Sequence, residues 1–190
     1  MPHKKLNVAA QGMLDAYKNL LDARGYMADA AQMTAANALQ SLYGNLLAFK
    51  VNRSSTFKRL LSPPTPPKGI YFWGGVGRGK SFLMDCFYDS VPYRRKKRLH
   101  FHSFMQQIHR DLEKYKGEPD PMLRLAEAIA KDVRLLCFDE FHVSDIADAM
   151  ILGRLMDGLF ANGVIVVMTS NYPPSMLYPN GLHRESFLPT

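Results

Sequence analysis

Lys80 and Ser81 close the string Gly74-Gly75-Val76-Gly77-Arg78-Gly79-Lys80-Ser81, whose residue types and spacing suit the cradling of phosphate. The string fits G-x-x-x-x-G-K-[ST]. Its glycines let the backbone turn tightly and aim successive N–H groups inward, a lysine at position 80 can reach β- and γ-phosphates, and the Ser81 hydroxyl can hold Mg²⁺. A match of this kind arises by chance in roughly one chain in two hundred of this length. The flanks sharpen it: Ile70-Tyr71-Phe72-Trp73 reads as a buried parallel strand, and Phe82, Leu83, Phe87 and Tyr88 continue as one face of a helix. Nucleotide contacts are therefore expected of Gly74, Gly75, Val76, Gly77, Arg78, Gly79, Lys80, Ser81 and Phe82, with Lys80 also catalytic.

A second group of acids stands 59 residues beyond Lys80 (139 − 80). Leu135-Leu136-Cys137-Phe138 is the apolar run of a buried strand, and it delivers Asp139 and Glu140 to the mouth of a sheet, the form of a Walker B element. Asp139 is expected to share Mg²⁺ with Ser81, and Glu140 to polarise the water that attacks the γ-phosphate. An apolar run followed by Asp-Glu is a weak signal alone and gains its force from the P-loop upstream. Asn171, just past a further apolar run at residues 164–168, is placed to reach the γ-phosphate or the attacking water, although an ordinary turn residue before Pro173-Pro174 fits the same position. Arg184 suits either an arginine finger offered to a neighbouring subunit's nucleotide or a surface ion pair.

Elements that position these residues follow from periodicity. Residues 6–50 carry two helical patterns, the second marked by Leu39, Leu42, Tyr43, Leu46 and Leu47 on one face. Too short for a core of their own, these helices are expected to cover the main domain. The run Pro63-Pro64-Thr65-Pro66-Pro67 breaks regular structure, so the chain divides into an N-terminal helical region (1–62), a stiff connector (63–67) and a nucleotide-binding core (68–190). Within the core the reading is a short strand at 99–103, a helix with Phe104, Ile108, Leu112 and Tyr115 on one side, and a helix opened by Asp120 and Pro121. Beyond them come a helix over 144–161 stopped by Asn162-Gly163 and a final buried strand. Strands alternating with helices give an α/β fold with a parallel sheet and its ligand at the carboxyl ends of the strands.

Composition bounds the rest. With 190 residues, 47% of them hydrophobic, there is material for one well-buried core with a small appendage, and disorder is not the default. A formal charge of +7 suits anions such as nucleotides, nucleic acid or acidic membrane, and it fits a mildly basic soluble protein at least as well. Cys86 and Cys137 lie in apolar runs and read as buried thiols in a reducing compartment, the cytoplasm. No run approaches the roughly 18 apolar residues of a membrane span, and Met1-Pro2-His3-Lys4-Lys5 opens no signal core.

Several strings are more specific than generic nucleotide motifs: GIYFWGGVGRGKSFLMD, RLHFHSFM, LLCFDEFHVSDIADAMILG, TSNYPP and LYPNGLHRESFLP. On them the chain resembles the ZapE-type division-associated ATPases of bacteria and their mitochondrial relatives, a branch of the AAA+ proteins. The match runs from Gly69 to Pro189, and residues 1–62 fit only loosely. The resemblance implies a homo-oligomeric, Mg-dependent ATPase that yields ADP, with Lys80, Ser81, Asp139 and Glu140 in the roles above, Asn171 as sensor 1 and Arg184 as the finger. It implies a bacterial, cytoplasmic role near the division ring, with the tubulin-like ring protein as a candidate partner, whereas mitochondrial relatives are linked to protein turnover. It also implies a further strand, a helical lid and a sensor 2 arginine after Pro189. Because the chain stops at Thr190, it reads as the N-terminal part of a longer protein, with feeble ATPase activity expected of this part. Preference for adenine rests on the resemblance alone.

Two other functional readings share these motifs: a nucleic-acid-associated AAA+ ATPase such as a helicase loader, and a nucleotide-binding module that does not hydrolyse. The basic run at 94–98 could touch phosphates, but it reads equally as a solvated loop, and no aromatic interleaving marks a stacking platform. His100 and His102 are expected two apart on one strand, where they could chelate a metal with His109 or His142 or simply pack. Asp145 and Asp148 complement a helix N-terminus, and Met27, Met33, Met150 and Met156 are expected to fill cores.

Overall fold

Continuous apolar runs become the central strands. The computed structural model describes residues 12–54, 64–143 and 146–178. Its four strands are β1 (Ile70–Trp73), β2 (Lys96–His100), β3 (Leu135–Asp139) and β4 (Ile165–Ser170), in the order β1-β4-β3-β2. β2 and β3 pair in parallel, with His100 opposite Asp139, and β3 and β4 pair in parallel, with Phe138 opposite Met168. Alternation then sorts the side chains by face. Leu136, Phe138 and Val166 join the main apolar cluster, and Leu135, Cys137, Ile165 and Val167 on the other face are no less buried. Both faces are covered, as the unbroken apolar runs require.

The described residues group into two compact units, one drawn from within 1–70 and 77–94 and the other from within 71–76 and 95–190. In the first, α1 (Met13–Arg24), α2 (Ala30–Ser54) and the P-loop helix α3 (Lys80–Ser90) pack together. The expected face of α2 is buried at Leu39, Leu42, Tyr43 and Leu46, and α3 buries Leu83, Met84, Cys86 and Phe87. In the second, α4 (Phe101–Leu112), α5 (Pro121–Asp132) and α6 (Ile146–Ala161) supply the apolar cluster with Phe104, Ile108, Leu125, Leu152 and Leu155. Asp120 caps α5, its Oδ1 accepting from the Leu123 N–H at 3.2 Å, with Pro121 at the first position as expected. Gly163, at φ 71°, ends α6: its N–H donates to the Phe160 carbonyl and that of Val164 to the Leu159 carbonyl, a Schellman stop. Burial pushes the thiols of Cys86 and Cys137 up to about 12, as expected of inert core residues.

α5 and α6 approach closely at Gly158, where an added Cβ would stand 2.7 Å from the Cβ of Ala126. Gly158→Ala should therefore destabilise, although alanine is the better helix former. Overpacking costs about 1–3 kcal/mol against a propensity gain of about 1. A lower denaturation midpoint in urea checks it, and an unchanged or higher midpoint would refute the close approach.

Four expectations change. β1 ends the strand order with one described neighbour, and Trp73 is 56% exposed, so 70–73 is not a fully buried strand; an aromatic run does not reveal how many neighbours a strand has. The strand expected at 99–103 lies at Lys96–His100, because pairing with β3 recruits Lys96, Lys97 and Arg98 from the supposed loop, and α4 begins at Phe101. His100 and His102 consequently share no strand, and among the described residues no three His, Cys, Asp or Glu gather to hold a metal. Met27 and Met150 are 95% and 65% exposed, whereas Met156 is buried: a lone apolar residue does not report its own face. Ser144, Asp145, Pro63 and Arg184 lie outside the described residues.

Candidate functional site

The P-loop takes its shape from two left-handed glycines. Gly77 (φ 78°) and Gly79 (φ 73°, ψ 14°) hold backbone that a side chain would strain, and Gly79 is the N-cap residue of α3, its carbonyl accepting from the Leu83 N–H at 3.0 Å. Lys80 and Ser81 thus open the helix at its electropositive end. At the other end of the loop, the Gly74 N–H donates to the Ser170 carbonyl at 3.2 Å, joining the exit of β1 to that of β4.

Residues 77–81 of the loop, which belong to the first unit, have a support there that the sequence does not announce. Asp29 and Gln32 form a reciprocal cap at the start of α2: each side-chain oxygen accepts from the other residue's N–H, at 2.8 and 2.9 Å. The Gln32 amide then donates to the Arg78 carbonyl at 3.0 Å. An Arg78–Asp29 ion pair at 3.4 Å is exposed and contributes little. The Phe82 ring packs on Tyr17 at 5.8 Å with the Arg24 guanidinium above it at 4.6 Å, so it is committed to α1.

Asp139 ends β3 and is 7% exposed. Its Oδ2 accepts from Arg98 Nε at 2.7 Å, and its Oδ1 is buried with no protein partner. Glu140 leaves the strand at φ 57°, uncommon for a residue with a side chain and costing about 1–3 kcal/mol. Hydrogen bonds to β4 hold this turn: Glu140 N–H to Thr169 Oγ1 at 3.1 Å, Phe141 N–H to the Thr169 carbonyl at 2.7 Å, and Ser170 Oγ to the Phe141 carbonyl at 2.7 Å. The turn aims the Glu140 carboxylate outward, 73% exposed, with Oε2 3.7 Å from His100 Nδ1. Asn171 follows β4 directly and is exposed. Gly74, Asp139, Glu140 and Asn171 are thus carried by the carboxyl ends of three strands of one unit, as expected of an α/β sheet. Asp148 pairs with His109 at 2.7 Å and tethers α6 to α4.

Arg98, Thr169 and Gln32 escaped the sequence reading. Arg98 was hidden in a basic run, and only strand pairing tells it from its neighbours. Thr169 stood in plain view beside Asn171, but its use depends on the Glu140 backbone.

Parallel pairing of β2, β3 and β4, acids at a strand exit and a glycine-shaped loop feeding a helix define a P-loop nucleotide-binding protein of the α/β class. The chain belongs to the AFG1-like ATPase family, whose pattern matches residues 12–190. It is 54% identical over 132 residues to the cell division protein ZapE of Escherichia coli K12, covering 70% of this chain and 35% of that protein. Over 139 residues it is 51% identical to lactation elevated protein 1 homolog B of Danio rerio, covering 67% of this chain and 28% of that one. The chain thus spans about a third of the length of these relatives. Among solved structures, DnaI shares the fold with a TM-score of 0.51 at 15% identity, over 86% of this chain and 78% of that one. Among the described residues no helix is long and apolar enough to cross a membrane.

Proposed function

We propose that this chain binds ATP with Mg²⁺ and hydrolyses it to ADP and phosphate, and that the cycle serves to remodel a protein partner. The observation that carries the reading is the half-satisfied Asp139. A buried carboxylate oxygen without a partner is costly, and a hydrated cation is the natural group to complete it. Ser81 and Asp139 supply a hydroxyl and a carboxylate oxygen, the hard donors that Mg²⁺ takes, so the residues fit the ion. When bound, Mg²⁺ neutralises charge on the β- and γ-phosphate oxygens.

The chain's own groups do the rest. Backbone N–H groups from Gly77 to Ser81 hold the phosphates, and the Lys80 ammonium offsets charge on the β- and γ-oxygens. Glu140 orients a water in line with the γ-phosphorus and draws on its proton as the new P–O bond forms and the bond to the β-phosphate oxygen breaks. Asn171 steadies that water or the γ-phosphate. Arg184 acts on the nucleotide of an adjoining copy, so the working form is a homo-oligomer. The likeness to ZapE supports a partner in the bacterial division machinery, with the tubulin-like ring protein the first to try, and a cytoplasmic location.

Glu140→Gln is expected to keep Mg-ATP binding and to lower single-turnover hydrolysis by about 10²- to 10⁴-fold. Parent and variant hydrolysing at equal rates would overturn the hydrolase reading and leave a nucleotide-binding module.

A further inference from the structure

We propose that Arg98 is a positioning residue for the divalent cation: its Nε–H ties down Oδ2 of Asp139 and leaves Oδ1 as the oxygen presented to the metal's water shell. This inference rests on the Mg-ATP reading above. The register puts Arg98 opposite Cys137 and His100 opposite Asp139, so alternation along β2 and β3 sets Arg98, Cys137 and Asp139 on one face of the sheet. From there the Arg98 side chain runs along the strand to Asp139, with Nε 2.7 Å from Oδ2. The two side chains are 19% and 9% exposed, so little water competes for the contact.

A carboxylate can present either oxygen to a cation, and a free rotor would present both in turn. Here one oxygen is spoken for by a charge-assisted bond and the other is buried and unpartnered. Removing a group that orients a ligating side chain in this way typically costs about 10- to 100-fold in metal affinity. The donor that matters is Nε, and two substitutions separate it from the charge. In Arg98→Gln the amide nitrogen occupies the chain position of Nε, which keeps a donor there without the charge. In Arg98→Lys a methylene replaces Nε and the charge remains, one atom further out.

The test is calorimetric binding of ATP, first in EDTA and then across a MgCl₂ series, on the parent chain and both variants. Arg98→Lys should match the parent in EDTA and need about tenfold more Mg²⁺ to reach half of the magnesium-dependent gain in affinity. Arg98→Gln should need no more Mg²⁺ than the parent. A purely structural ion pair would lower the melting temperature and weaken ATP binding equally with and without the metal. That result, the reverse order of the two variants, or two variants alike the parent would each overturn the proposal, and if one variant fails to fold the other decides. A parent that binds ATP without any magnesium gain would instead overturn the Mg-ATP reading itself.

Discussion

Lys80→Ala should abolish saturable Mg-ATP binding in calorimetry at matched salt while leaving the fold intact. Lys80 is the first residue of α3, directly after the left-handed Gly79, where a long cation can follow the loop toward the β- and γ-phosphates. Removing one partner of a hydrogen-bonded charge pair costs about 2–5 kcal/mol, hence roughly thirty- to several-thousand-fold in affinity. The helix should not suffer, because alanine has the highest helix propensity and the buried side chains of α3 are Leu83, Met84, Cys86 and Phe87. A melting temperature equal to the parent's, alongside lost binding, is the expected pair of results. Binding retained in the variant would mean that the glycine loop does not hold phosphate, and every functional role assigned above would fall with it.

The second large effect concerns stability. Phe138 is fully buried one residue before Asp139, with the Phe104 ring 4.7 Å away and tilted 55°, and the Phe101 ring 5.6 Å away edge-on. Phe138→Ala should cost about 3–5 kcal/mol, against the roughly 5–15 kcal/mol by which domains of this kind are stable. The midpoint in guanidinium should fall sharply with an unchanged slope. Loss of the ring should also loosen the strand that carries Asp139 and Glu140, so nucleotide binding should weaken in step with stability. A cost below about 1 kcal/mol would mean that the aromatic cluster collapses around the gap or is not the core of this unit.

What the sequence by itself determined is local. Gly79 announces a left-handed turn because the motif tolerates no other residue type there, whereas Gly77 stands at one of the motif's free positions and its φ of 78° is seen only in the structure. Asp120 with Pro121 and Asn162-Gly163 mark helix ends because caps act within four residues. The runs at 135–138 and 164–168 declare strands buried on both faces because such strands need no alternation. These signals sufficed for the α/β class and for the acids at a strand exit.

Only the tertiary structure decided matters that join distant residues. Nothing local shows that β1 ends the strand order, or that three consecutive basic residues open β2, since pairing partners lie some forty residues away. The Glu140 turn depends on a threonine 29 residues downstream, and the Gln32 support of the P-loop reaches across 46. Arg98 is the clearest case: in the sequence it is one cation among five in a basic run, and on the sheet it is the partner of Asp139. Capping and periodicity are short-range and are written in neighbouring residues. Register and pairing select which distant groups meet, and that selection exists only once the chain has folded.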